Sequence, residues 1–206
     1  EASPVTIANY VSTSSANSFK PIYASGMTYG RSYNISVRAK VNGLFGNFGT
    51  VCTITISDIP STQVIAAQCG ATLTSLGTNI NCDAVAGATN YEFVITDVAT
   101  NSVTTYTTTS SAAYFKPTSI RSMVYNGSYS IKVRAKTSLG FGPYGNNCIV
   151  NFGPIPVTKL QAASCDITIN SLSTNLLSEV VAGVTNYEYK ITDLTAGATI
   201  NNYIST

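Results

Sequence analysis

Thr89-Asn90-Tyr91-Glu92-Phe93-Val94-Ile95-Thr96-Asp97 returns 96 residues later, without a gap, as Thr185-Asn186-Tyr187-Glu188-Tyr189-Lys190-Ile191-Thr192-Asp193. The same offset holds outward from this stretch. Phe19-Lys20-Pro21 returns as Phe115-Lys116-Pro117, and Val37-Arg38-Ala39-Lys40 as Val133-Arg134-Ala135-Lys136. Repetition is read first because it fixes the structural unit before any element is assigned. A period of 96 is the size of one β-sandwich domain rather than of a solenoid turn, so each repeat is expected to own a core. The phase is half, whole, half: residues 1–57 align with the second half of the repeat, 58–153 make a complete one, and 154–206 align with the first half.

Within the complete repeat, strand signals recur at short spacing with turn residues between them, as in a sandwich. Strands are expected over 64–68 and 72–76, then 79–84, 91–97, 103–108, 113–116, 128–136 and 147–152. Two of them alternate cleanly with period two. Tyr91, Phe93 and Ile95 point inward against Glu92, Val94 and Thr96, while Tyr129, Ile131, Val133 and Ala135 point inward against Ser130, Lys132, Arg134 and Lys136. The fold class is therefore all-β: tandem immunoglobulin-like sandwiches, with the two inward sets facing one core.

Composition agrees. Of 206 residues 44% are hydrophobic, enough to bury a core, whereas only 10% are charged and the net charge is +2. Such a chain has no field dense enough to grip a phosphate backbone, so nucleic acid is not an expected partner. No apolar run approaches the roughly 18–20 residues that span a bilayer, and Glu1-Ala2-Ser3-Pro4 does not open a secretory signal, so the chain is expected to be mature or a fragment. Five cysteines without a single histidine, and without a C-x-x-C pair, fit an oxidising, extracytoplasmic setting better than a metal site.

Val85-Ala86-Gly87-Ala88, then Tyr91 and Phe93, followed by Tyr129-Ser130-Ile131-Lys132-Val133-Arg134-Ala135 and Gly140-Phe141-Gly142-Pro143, resembles a fibronectin type III domain over the whole repeat. Such domains usually carry a Trp near the position of Cys82 and Ser178, and this chain has none. The fuller pattern, Tyr144-Gly145 ahead of Cys148 and then Cys165 ahead of the next Gly-Val-Thr-Asn-Tyr segment, is similar to repeats in cell-surface proteins of gliding and biofilm-forming Bacteroidota. That resemblance implies export by the type 9 secretion system and a role as adhesin or surface filament.

The cysteines follow the repeat, Cys52 with Cys148 and Cys69 with Cys165, except Cys82, which lands on Ser178. Two pairings compete. Cys69 with Cys148 joins the first and last strands of one repeat, which run side by side at a sandwich edge. Cys52 with Cys69, and Cys148 with Cys165, would instead staple neighbouring repeats across linkers of 17 residues. An extended linker of that length spans roughly 50 Å, against the ~7 Å limit for disulfide Cα atoms, so the second pairing needs the chain to double back. Cys82 falls at an inward position, where a thiol behaves as a small apolar residue.

Phe45, Phe48, Phe141 and Tyr144 lie on Gly-rich turns between the last two strands of their repeats, and ring faces there are candidate sugar or partner contacts. The competing reading folds them back over the core. Glu92 opposite Lys132 or Arg134 reads as a surface cross-strand pair. Asp83 and Asp97 read as turn formers, and the nine carboxylates are too scattered for catalysis or for a calcium loop. The expected function is structural or adhesive, in repeats that space or present a binding region and touch their neighbours, with no enzyme activity and no cofactor. Two alternatives stand beside it. One is a filament subunit joined by half-domain complementation. The other is a carbohydrate-binding module touching surface polysaccharide, which requires Phe45, Phe48, Phe141 and Tyr144 to be exposed and coplanar.

Overall fold

The structure, a computed structural model, describes residues 10–13, 15 and 17–205. Glu1-Ala2-Ser3-Pro4, read above for a targeting signal, lies outside the described residues. Among the described residues fourteen strands follow in chain order: β1 (Arg31–Ile35), β2 (Lys40–Val41), β3 (Leu44–Phe45), β4 (Cys52–Ile56), β5 (Thr72–Leu73), β6 (Ile80–Asn81), β7 (Asn90–Asp97), β8 (Val103–Thr107), β9 (Tyr114–Phe115), β10 (Ser128–Thr137), β11 (Gly140–Phe141), β12 (Cys148–Phe152), β13 (Glu188–Asp193) and β14 (Ala198–Ile204). Short 3-10 turns stand at Pro21–Tyr23, Pro117–Ser119 and Ala162–Ser164.

The middle of the chain forms an all-β sandwich. One sheet has the order β5-β12-β10-β7-β8, with β11 on the end of β10; the other pairs β6 with β9 and is extended by a bridge from Val64 to Cys82. The period-two alternation of β7 and β10 decides their faces: Tyr91, Phe93 and Ile95, with Tyr129, Ile131, Val133 and Ala135, are all buried. From the opposite sheet Phe115 meets Phe93 with ring centroids 4.8 Å apart, while Val64, Ile80 and Cys82 complete the same cluster. The two sheets thus close on one core as an all-β sandwich.

Two tyrosines anchor the sandwich corners. The Val124 N–H donates to Tyr129 Oη at 2.8 Å, and that hydroxyl donates to the Ser122 carbonyl at 3.0 Å. The Val85 N–H donates to Tyr91 Oη at 2.8 Å. Each bond gives a buried ring a polar exit and fixes the chain that enters its strand.

Several expected strands are shorter than the sequence implies. The stretch 64–68 is not a strand: after the Val64 bridge the chain turns, and Gln68 swings inward to donate to the Asn79 carbonyl and accept from the Asn81 N–H, both at 2.7 Å. Gly70 then takes a left-handed φ of 79°, which carries the chain across to the other sheet. Of 72–76 only Thr72–Leu73 forms strand, of 79–84 only Ile80–Asn81 with the Cys82 bridge, and of 113–116 only Tyr114–Phe115. Apolar alternation continues past the point where each ladder loses its partner, so the pattern overstates these edges.

The 96-residue offset recurs in strand register and hydrogen bonding outside the middle. β1 pairs β4 with Ser32 opposite Thr55 and Ile35 opposite Cys52; β10 pairs β12 with Ser128 opposite Asn151 and Ile131 opposite Cys148, the same register displaced by one repeat. Tyr33 Oη accepts the Thr28 N–H at 2.8 Å, as Tyr129 accepts Val124. Further along, Leu160 bridges Ser178 as Val64 bridges Cys82, and the Val181 N–H donates to Tyr187 Oη at 2.9 Å as Val85 does to Tyr91. Left-handed backbone recurs with interchangeable residues, Gly30 with Asn126 and Asn101 with Gly197. One departure stands out: β13 and β14 shift register by a bulge between Ile191 and Thr192, where β7 and β8 run straight.

Candidate functional site

The outer face of β10 carries Lys132, Arg134 and Lys136, because its other face is committed to the core. The turn after β10 folds β11 back so that Phe141 lies opposite Lys136, and the chain then delivers Tyr144 alongside. The Arg134 guanidinium stands over both rings, 4.2 Å from the Phe141 centroid and 4.5 Å from that of Tyr144. Lys132 and Lys136 flank it, their ammonium nitrogens 4.9 Å from Tyr144 and 5.4 Å from Phe141. Cations and rings thus alternate along the face, an arrangement favoured by the electron-rich ring faces and by the planarity of guanidinium.

Glu92 reaches this cluster from β7, directly opposite Arg134. Arg134 Nε donates to its Oε1 at 2.8 Å and Nη2 lies 2.6 Å from the same oxygen, while the Tyr144 hydroxyl donates to it as well. The expected surface pair is corrected here: the Arg134 and Glu92 side chains are only 29% and 15% exposed, so the ion pair is largely shielded from water. Lys132 faces Val94 instead. Burial, and then the bond to Glu92, raise the Tyr144 phenol above its ordinary pKa.

The same clamp stands one repeat earlier. Arg38 lies over Phe45 at 4.5 Å and over Phe48 at 4.4 Å, with Lys40 over Phe45 at 5.2 Å. Phe45, Phe48 and Phe141 are exposed and Tyr144 is half-buried, and all four rings carry a guanidinium on a face. The central arginines were legible only as outward residues of Val37-Arg38-Ala39-Lys40 and Val133-Arg134-Ala135-Lys136. Their partnership with the rings depends on the hairpin that folds back.

At the opposite edge of the same sheet, β5 runs parallel to β12, and Cys69 is joined to Cys148 just ahead of that seam, with Cα atoms 5.2 Å apart. The Gly70 N–H donates to the Ile149 carbonyl at 2.7 Å beside it. The alternative of Cys52 with Cys69 and Cys148 with Cys165 is therefore not the arrangement adopted; Cys52 and Cys165 are exposed thiols. Cys82 is a buried thiol whose pKa burial pushes up to about 11. Asp97 is a turn former, its Oδ1 accepting from the Ala99 and Thr100 N–H groups at 2.8 and 3.0 Å. Asp83 instead continues the bridge after β6, its N–H donating to the Gln63 carbonyl at 2.9 Å.

Among the described residues no group of three or more His, Cys, Asp or Glu is placed to hold a metal ion, and no helix is long and apolar enough to cross a membrane. No family model matches the chain, and no curated protein matches it. Among solved structures it is similar to the FN1-FN3 domains of chicken CNTN1, at 18% identity and a TM-score of 0.27, over 62% of this chain and 45% of that one. The chain thus spans less than half the length of that structure.

Proposed function

We propose that this chain is a structural segment of a tandem sandwich array in an exported bacterial surface protein, spacing or presenting a binding region away from the cell. Residues 58–153 are one complete repeat in this reading, 1–57 the second half of the repeat before it and 154–206 the first half of the repeat after it. The observation that carries it is the position of the disulfide. Tension along an array enters a repeat at its first strand and leaves at its last, and Cys69 and Cys148, 79 residues apart, lie close inside those two ends. The force therefore passes through a covalent bond, and most of the repeat is held out of its path.

The same bond supports export to an oxidising compartment, where such crosslinks persist. The adhesin or filament role and the type 9 route rest on the motif resemblance alone. The rings on the hairpins serve this reading as clamps on arginine that stiffen the last turn of each repeat, rather than as an open platform for sugar.

Single-molecule extension of the native chain tests the proposal. At about 3.4 Å per extended residue, the 79-residue loop holds roughly 270 Å of contour length. That step should be absent in oxidising buffer and appear after a reductant is added. A ~270 Å step without reductant, or a trace that reductant leaves unchanged, contradicts the proposal.

A further inference from the structure

The chain crosses from one repeat to the next twice, and both crossings are built contacts. At the first, Tyr29 and Ile59 are partly buried against the core of the complete repeat; at the second, Tyr125 and Ala182 are. Tyr29 and Tyr125 are the same repeat position, and Ile59 returns as Ile155. The residues around them drift, Asp58 becoming Pro154, Ser61 becoming Val157 and Arg31 becoming Gly127. What recurs is the contact rather than the whole linker. The start of the linker is fixed in the same way both times: the Gly30 N–H donates to the Ser57 carbonyl at 2.9 Å, and the Asn126 N–H to the Gly153 carbonyl at 2.9 Å.

Ile59 seats on the turn that follows β10. A Cβ built on Gly142 would stand 2.6 Å from Ile59 Cγ2, and the φ of Gly142 is not in the left-handed region, so it is the isoleucine and not the backbone that requires glycine there. Pro60 follows, which holds Ile59 in extended backbone and removes one dihedral from the linker. The seat is itself held, because its neighbour Phe141 lies 4.2 Å under the Arg134 guanidinium and Arg134 is paired with Glu92. The second crossing shows a further point of contact, on the turn ahead of β13. Tyr125 Oη donates to the Ala182 carbonyl at 3.1 Å. A Cβ on Gly183 would stand 3.0 Å from Leu76 Cδ1, and one on Gly77 3.2 Å from Ala182 Cβ, so small residues let the two repeats approach.

We propose that these contacts lock each repeat to the next, so that the array is a stiff rod with one fixed turn and step per repeat rather than a string of beads that swivel on their linkers. The proposal rests on the repeat reading above and assigns the partner of each repeat's end: the linker isoleucine and the tyrosine of its predecessor. Domains joined by small contacts swivel by default. Here only residues 57–61 separate β4 from Thr62, which already bridges Val133 on β10, so the linker has little slack. Two seats on different turns also stop a rotation that a single one would permit. The arginine clamp gains a purpose in this account, since it holds the turn that receives Ile59. A rod keeps what it carries at its full length from the cell, whereas the reach of a flexible chain grows only as the square root of its length.

The test uses the ¹⁵N-labelled 206-residue chain, weakly aligned, and compares the residual dipolar couplings of β1 and β4 with those of β7 and β10. One alignment tensor should fit all four strands. Ile59→Ser removes the contact while leaving the seat untouched, and should leave β1 and β4 on a tensor of their own with about half the alignment or less. Gly142→Val, which pushes the isoleucine out, should do the same; where it also disturbs β7 and β10, Ile59→Ser decides. Two tensors in the parent chain, or β1 and β4 couplings averaged to near zero, overturn the locked joint and leave the repeat reading standing. Undiminished alignment in Ile59→Ser overturns it equally, by showing that the isoleucine is no lock. Failure of β7 and β10 to share one tensor in the parent chain overturns the repeat reading itself.

Discussion

Tyr129 Oη holds the Val124 N–H at 2.8 Å, and the ring that carries it is buried to 1% exposure between the two sheets. Removing that oxygen strands a partly buried amide without altering the ring's packing. Tyr129→Phe should therefore lose about 1–2 kcal/mol, read as a lower urea midpoint at unchanged slope. Tyr33→Phe, at the same place in the exposed half, should cost no more than a few tenths of a kcal/mol.

Cys69→Ser with Cys148→Ser opens a loop of 79 residues. In the chain-entropy description such a loop is worth roughly 4 kcal/mol, and equilibrium denaturation should lose about that much. Cys52→Ser and Cys165→Ser should leave the monomer's stability within about 0.5 kcal/mol of the parent, since surface changes rarely exceed that.

Arg134 serves two rings and one carboxylate at once, which a lysine cannot reproduce with a single compact ammonium. Arg134→Lys and Arg134→Ala should each destabilise by about 1–2 kcal/mol. Full retention of stability by the lysine variant would show that charge alone matters there.

Cys82 keeps its proton in the fold up to about 11, because burial penalises the thiolate, whereas a free thiol ionises near 9.0. Between those values the unfolded chain gives up a proton that the folded chain holds, so this group's contribution to stability is complete below pH 9 and is lost as pH rises through 11. The stability difference between the parent and Cys82→Ala should shrink across that window. At pH 8, iodoacetamide should modify Cys52 and Cys165 and spare Cys82 until the fold is opened with urea.

The sandwich was legible because β7 and β10 are long enough for alternation to settle their faces, and because a gapless repeat makes each assignment twice. The first strand was less so. Nothing in Val64-Ile65-Ala66-Ala67-Gln68 announces that Gln68 will bond the start of β6 and end the strand, since that bond belongs to the tertiary structure. Cys69 with Cys148 was the pairing the linker length favoured over Cys52 with Cys69 and Cys148 with Cys165, and the parallel run of β5 beside β12 brings the two sulfurs together. Phe141 and Tyr144 were visible as aromatics on a turn, but their function as a clamp depends on Arg134, on the strand before that turn, and on Glu92 from another strand.

The central claim is that residues 58–153 form one sandwich with its own core, repeated along the chain. Expressing those residues alone under oxidising conditions and following their unfolding in urea by circular dichroism and tyrosine fluorescence tests it most directly. A single cooperative transition, coincident in both probes and with Cys69 joined to Cys148, is the predicted result; a chain that stays unfolded, or that melts without cooperativity while the 206-residue protein does not, would contradict it.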